Sequence, residues 1–199
     1  VDWAFDLPLD NLTSLSAGFA INGPAANSKL GYVNSAQGAM DVGDVNGDGY
    51  DDFDLVDITG NHYVVYGKAG LTTVEVSSFS VAGNTNGYVF NTTAYYNGPA
   101  GDINGDGLND VVMQNTTTTA YVVLGNTRSP GAMTTTTTGF TVSNGFTITS
   151  PTTAISGISV VGDVNGDGYD DVLINFNAAP NSAFLLYGSS SNANVTLPT

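Results

Sequence analysis

Three stretches of this sequence carry the same pattern of hard oxygen donors. Gly43-Asp44-Val45-Asn46-Gly47-Asp48-Gly49 recurs as Gly101-Asp102-Ile103-Asn104-Gly105-Asp106-Gly107, and again as Gly162-Asp163-Val164-Asn165-Gly166-Asp167-Gly168. Counted from the first Asp, the odd positions are Asp44, Asn46, Asp48, Tyr50 and Asp52 in the first copy. They are Asp102, Asn104, Asp106, Leu108 and Asp110 in the second, and Asp163, Asn165, Asp167, Tyr169 and Asp171 in the third. Positions 1, 3, 5 and 9 always bring a side-chain oxygen. Position 7 varies, as expected where only its backbone carbonyl contributes. Oxygen ligands on a tightly curled loop suit Ca²⁺, whereas Mg²⁺ prefers to keep water and a rigid octahedron. No His or Cys lies in the motifs, which disfavours zinc and copper. An EF-hand would place a bidentate acid at position 12 between helices; here position 12 is Leu55, Met113 or Ile174. The sites therefore read as nine-residue hairpin loops. Asp, Asn and Gly also favour ordinary turns. Three copies with one spacing argue for more, because carboxylates clustered without a cation repel one another.

The loops must be held by short strands. The first Asp residues of successive copies are 58 and 61 residues apart. Each copy is followed by an apolar run (Phe53 to Ile58, Val111 to Met113, Val172 to Phe176). After a polar break comes a second run closed by Gly67, Gly125 or Gly188. Upstream stand Phe-led segments at Phe19, Phe79 and Phe140. Such β-branched and aromatic runs bounded by Gly, Asn and Asp are the mark of small antiparallel sheets. No sustained helical period occurs. The chain holds one Glu and 17 Asp, the balance of turns and loops rather than of helical surfaces. The expectation is an all-β fold of three four-stranded, antiparallel, β-propeller-like blades with calcium-binding hairpin loops. A single repeat region over residues 1–199 would hold approximate blades at 10–70, 71–130 and 131–199.

The motifs GDVNGDGYDD, GDINGDGLND and GDVNGDGYDD, each followed by a hydrophobic strand and then a strand ending in Tyr-Gly or Leu-Gly, resemble the FG-GAP repeats of integrin α-subunit propellers and bacterial surface proteins. The resemblance covers roughly residues 12–188. It implies Ca²⁺ at about three sites, held by the fifteen odd-position residues named above. It also implies an extracellular adhesive or structural module. The namesake Gly-Ala-Pro after the first strand is absent, replaced by Asp57-Ile58-Thr59, and Phe-Gly survives only loosely as Leu30-Gly31. Three blades do not close a ring, since propellers have four to eight. A longer array, head-to-tail pairing with copies of itself, or a compact three-unit fold would each resolve this. In the second case Asp2 to Ser16 and Ser189 to Pro198 would contact neighbouring subunits.

Composition bounds the partners. Three basic residues against 18 acidic ones give a net charge of −15, which excludes phosphate-backbone binding and attraction to anionic membranes. Nine of those acids stand at ligand positions, so three Ca²⁺ would bring −15 to −9. The expected partners are a protein or glycan ligand at the cell surface, or the chain itself. Loop sites of this charge bind usefully where free Ca²⁺ is millimolar, outside the cell. The sequence does not open on Met and reads as a processed segment. No enzyme activity is expected: no nucleophile-elbow motif occurs, and His62, the single histidine, reads as a loop residue. Asp54 and Asp57 read as strand and loop surface. A carbohydrate-binding role is the alternative, with Tyr32, Tyr88, Tyr95 and Tyr96 as candidate exposed stacking rings. Sequons at Asn11, Asn91, Asn115 and Asn194, and Thr runs at 116–119 and 134–138, are candidate glycan carriers.

Overall fold

Runs such as Tyr63-Val64-Val65 and Tyr121-Val122-Val123 carry apolar residues at every position rather than every second one, as strands buried on both faces do. In the computed structural model they are such strands. The structure describes residues 18–31, 38–70, 73–79, 84–90, 96–98, 100–114, 117–126, 145–177 and 182–198. The elements are β1 (Ile21–Asn22), β2 (Ala39–Gly43), β3 (Asp52–Val56), β4 (His62–Val65), β5 (Val74–Glu75), β6 (Gly87–Phe90) and β7 (Tyr96–Asn97). They continue with β8 (Val111–Gln114), β9 (Thr119–Val123), β10 (Gly145–Thr149), β11 (Ile155–Val160), β12 (Val172–Phe176), β13 (Ala183–Leu186) and β14 (Val195–Thr196). Among the described residues there is no α-helix, only a 3₁₀ turn at Val76–Ser78. The fold is all-β.

The strands form three small sheets that are antiparallel at heart. Their orders are β2-β3-β4-β6, then β7-β8-β9-β10-β14, then β11-β12-β13. The expectation of three four-stranded sheets holds for the first alone. The second gains β14 as a fifth strand, parallel to β10 with Ile148 opposite Val195. The third has three strands among the described residues. A separate parallel pair joins β1 to β5, with Ile21 opposite Val74. The two parallel pairs are the same device: the segment that follows one sheet's third strand runs back onto the outer strand of the unit before it.

This pairing corrects two sequence readings. The segment Ser189 to Pro198, expected to contact a neighbouring subunit if copies pair head to tail, packs on its own molecule. It folds back so that the Leu197 N–H donates to the Thr149 carbonyl at 2.8 Å, and Leu197 is buried in the core. The Phe-led segments also do not align as their first letters suggest. Phe79 ends the 3₁₀ turn and is buried beside Tyr63. The true counterpart of Gly18-Phe19-Ala20-Ile21-Asn22 is Gly145-Phe146-Thr147-Ile148-Thr149, fixed by the shared parallel register. Phe140 lies outside the described residues, as do Asp2 to Ser16 and Thr134 to Thr138.

The core lies between neighbouring sheets. Val42, Val64, Phe90, Met113 and Tyr121 pack together between the first and second. Val112, Val122, Ile148, Ile158 and Ile174 do so between the second and third. The sheets therefore stand face to face in chain order, and the loops bearing the oxygen motif fall at corresponding points of successive units.

Candidate metal centre

Each motif is a loop that its own glycines make possible. Residues 44–51 link β2 to β3, and residues 161–171 link β11 to β12. In the second unit a bridge between Gly101 and Asp110 closes the loop ahead of β8. The glycines at positions 4 and 6 have positive φ in every copy, for example 75° at Gly105 and 87° at Gly107. An L side chain adopts that region only under strain.

The three loops share one hydrogen-bond pattern. The position 1 carboxylate gathers the loop: Asp44 Oδ1 accepts from the Gly47 N–H at 2.7 Å and the Asp48 N–H at 3.2 Å. Its Oδ2 accepts from Gly49 at 2.8 Å. Asp102 takes Gly105, Asp106 and Gly107 in the same way, and Asp163 takes Gly166, Asp167 and Gly168. The position 3 amide oxygen accepts the position 5 N–H, as Asn46 does from Asp48 at 2.8 Å. The position 5 carboxylate accepts the position 7 N–H, as Asp48 does from Tyr50 at 3.0 Å. These donors curl the loop so that side-chain oxygens of positions 1, 3 and 5 share its rim. The exposed Asp163 carboxyl is held below its ordinary value, first by the Gly168 N–H.

Position 9 has a different role that the sequence did not reveal. Asp52 is buried and clasps two distant points of the backbone: Oδ2 accepts from the Val45 N–H at 3.0 Å, and Oδ1 from the Gly67 N–H at 2.7 Å. Asp110 joins Ile103 to Gly125, and Asp171 joins Val164 to Gly188. The glycine that closes each unit's third strand is therefore part of the loop's structure. Burial pushes the Asp52 and Asp110 carboxyls up to about 7, against the pull of those N–H donors and with the help of the carboxylates at positions 5 and 1.

Hard oxygens alone line each rim, which fits Ca²⁺ by chemistry. Among the described residues no three carboxylate or imidazole side chains already converge as a metal cluster. Each carboxylate oxygen has two lone-pair directions; Oδ1 of position 1 gives both to N–H donors, whereas Oδ2 of position 1 and the oxygens of position 5 accept one bond each and keep a direction for a cation.

Other sequence readings change. His62 is not a loop residue; it opens β4, is buried, and its Nδ1 lies 2.7 Å from Oδ2 of the equally buried Asp54. Asp57 is buried too, accepting from Thr59, Asn61 and the Tyr63 hydroxyl. Inward acids on a strand otherwise rich in Phe, Leu and Val have no signature in the sequence pattern. Tyr88 is buried against Tyr66 rather than exposed. Tyr32 and Tyr95, like Asn11, Asn91 and Asn115, fall outside the described residues. No helix among the described residues is long and apolar enough to cross a membrane.

No curated protein matches the chain. Residues 102–174 match the FG-GAP-like repeat, a repeat typical of integrin-like β-propeller modules, common in secreted and surface proteins and often calcium-binding. That match spans the second and third loops. The first loop, outside it, has the same hydrogen bonds. By motif, geometry and match, the segment 102–174 belongs to the FG-GAP-like repeat family.

Proposed function

We propose that the chain is a calcium-stabilised, non-catalytic structural and recognition module of the adhesive kind, placed outside the cell, whose units serve as propeller-like blades. The observation that supports this reading is the threefold recurrence of one loop with one hydrogen-bond pattern and one set of oxygens. Three Ca²⁺ are held by Asp44, Asn46, Asp48, the Tyr50 carbonyl and Asp52, and by the corresponding residues of the other two loops. The bound ion supplies the positive charge that lets the raised Asp52 and Asp110 carboxyls ionise. The protein's own part is to present the oxygens in a curl held by the position 1 N–H bonds, and to tie that curl through position 9 to the end of the third strand. Its partner at the cell surface is a protein or a glycan.

A cation that binds the folded form alone adds about 2.7 kcal/mol per site at a free concentration 100 times Kd. Chelation is expected to lower Tm sharply and reversibly, and Asp48→Ala to reproduce part of the loss. An unchanged Tm in EDTA would sink the metal assignment.

A further inference from the structure

The contacts between successive units define two faces that match each other, and among the described residues each is left uncovered at one side. The Asn109 N–H, at position 8 of the second loop, donates to the Asp44 carbonyl at 3.1 Å, and the Asn126 N–H donates to the Val45 carbonyl at 2.8 Å. The next step repeats this: Asp170 donates to the Asp102 carbonyl at 2.9 Å, and Ser189 to the Ile103 carbonyl at 3.0 Å. The Asp170 carboxylate also accepts the Asp102 N–H at 2.9 Å and fills the space over Gly101, as the Asn109 side chain fills that over Gly43. The Tyr169 ring lies over Gly105, 2.6 Å from where a Cβ would stand.

Among the described residues nothing lies on the receiving face of the third unit. No backbone N–H reaches the Asp163 or Val164 carbonyls among the described residues. Gly162 and Gly166 face open space. Val164 is 53% exposed where Val45 and Ile103 are 3% and 2% exposed. Tyr187 is 58% exposed where Tyr66 and Leu124 are 6% and 8%. Among the described residues nothing from another unit covers the donating face of the first: Asp51 stands exposed at position 8, the half-buried Lys68 follows Gly67, and the Tyr50 ring is exposed.

The sheet edges agree. β10 lies between β9 and β14. Its counterpart β1 has β5 on one side and no strand on the other among the described residues. β13, the counterpart of β9, has no strand on its outer side among the described residues. Its Phe184, Leu185 and Leu186 are half-buried where Tyr121, Val122 and Val123 are buried. An open edge of this kind takes an added strand.

We infer that the first unit of one copy docks on the third unit of a second copy, its β1 adding antiparallel to β13. The register follows from the β9–β10 pairs: Gly18 opposite Leu186, Phe19 opposite Leu185, Ala20 opposite Phe184, Ile21 opposite Ala183 and Asn22 opposite Ser182. The Asp51 and Lys68 N–H groups then donate to the Asp163 and Val164 carbonyls. The contact is heterologous, so it propagates into a ring or a filament; two copies supply six units, within the four to eight that close a propeller. The surfaces used are the loop side and a sheet edge, and not residues 189–198.

The chain has no cysteine, so mixed single-cysteine variants cross-link only between copies. A tagged Asn22→Cys chain mixed with Ser182→Cys and oxidised in 0.15 M salt is expected to give a heterodimer in at least tenfold higher yield than Thr152→Cys mixed with Ser182→Cys. The mass of the unmodified 199-residue chain is expected to rise with concentration to two copies or more. Equal cross-linking in the two mixtures, or a monomeric mass throughout, would overturn the inference. Since the register rests on backbone pairing, the in-register cross-link is read both with Ca²⁺ and with EDTA. Its loss in both conditions counts against the interface, whereas the Tm response to chelation counts for or against the cation.

Discussion

At the scale of residues, the informative surprise is how many carboxylates face inward. Asp52, Asp54, Asp57, Asp110 and Asp171 are all buried. Each meets N–H, hydroxyl or imidazole groups, as buried charge requires. The clasp made by Asp110 is expected to be structural whatever the cation does. Asp110→Asn turns an NH₂ group toward one of two backbone N–H donors and should cost about 2 kcal/mol, measured by denaturant unfolding in EDTA. Asp57 gives a pH prediction of definite sign. Burial would raise its carboxyl, but the hydrogen bonds from Thr59 and Asn61 outweigh that and hold it below the ordinary value. A depressed folded-state value means that its stabilisation is present above the unfolded-chain pKa and is lost as pH falls through the folded one. The stability difference between the native protein and Asp57→Asn should therefore be constant near neutrality and shrink below about pH 4.

At the scale of elements, loops were more legible than strands. The oxygen positions and the position 6 glycine can be read from spacing because a curled loop leaves the chain little choice. The clasp could not be read, since one of its two donors is a glycine N–H fifteen or more residues away, at Gly67, Gly125 and Gly188. Nor could the fold-back of β14, because Val195-Thr196 looks like any short polar segment and gains its place by pairing with β10. The Phe-led segments misled for a related reason: an aromatic is wanted both in the outer strand and in the turn that covers it. Glycine substitutions separate local strain from contact. Gly107→Ala meets open space and bears only the cost of positive φ, about 1–2 kcal/mol. Gly105→Ala has a similar φ but also meets the Tyr169 ring. It should lose more stability than Gly107→Ala, a difference that Tyr169→Ala should remove.

At the scale of the molecule, the sequence displayed the repeat and its count of three. It did not show how one unit grips the next, because those bonds run between backbone groups that no side-chain pattern announces. The large negative charge acts at this scale as well. With a net charge of −15, the cation-free protein carries self-repulsion that salt screens over a Debye length of about 8 Å at physiological strength. Raising NaCl from low to physiological concentration should raise its Tm in EDTA. The increment should be smaller with Ca²⁺ bound, when the charge is already reduced.

The clasp also sets an order in time. Asp52 gathers Val45 and Gly67, all within one unit, whereas the bond from Asn109 to Asp44 must wait until the next loop exists. A chain emerging from the ribosome can thus finish the clasp of each unit while the following unit is still being made. Local contacts of this kind close sooner than distant ones, and synthesis delivers them first. Growth then proceeds in one direction, each completed unit offering the next a finished surface on which to settle.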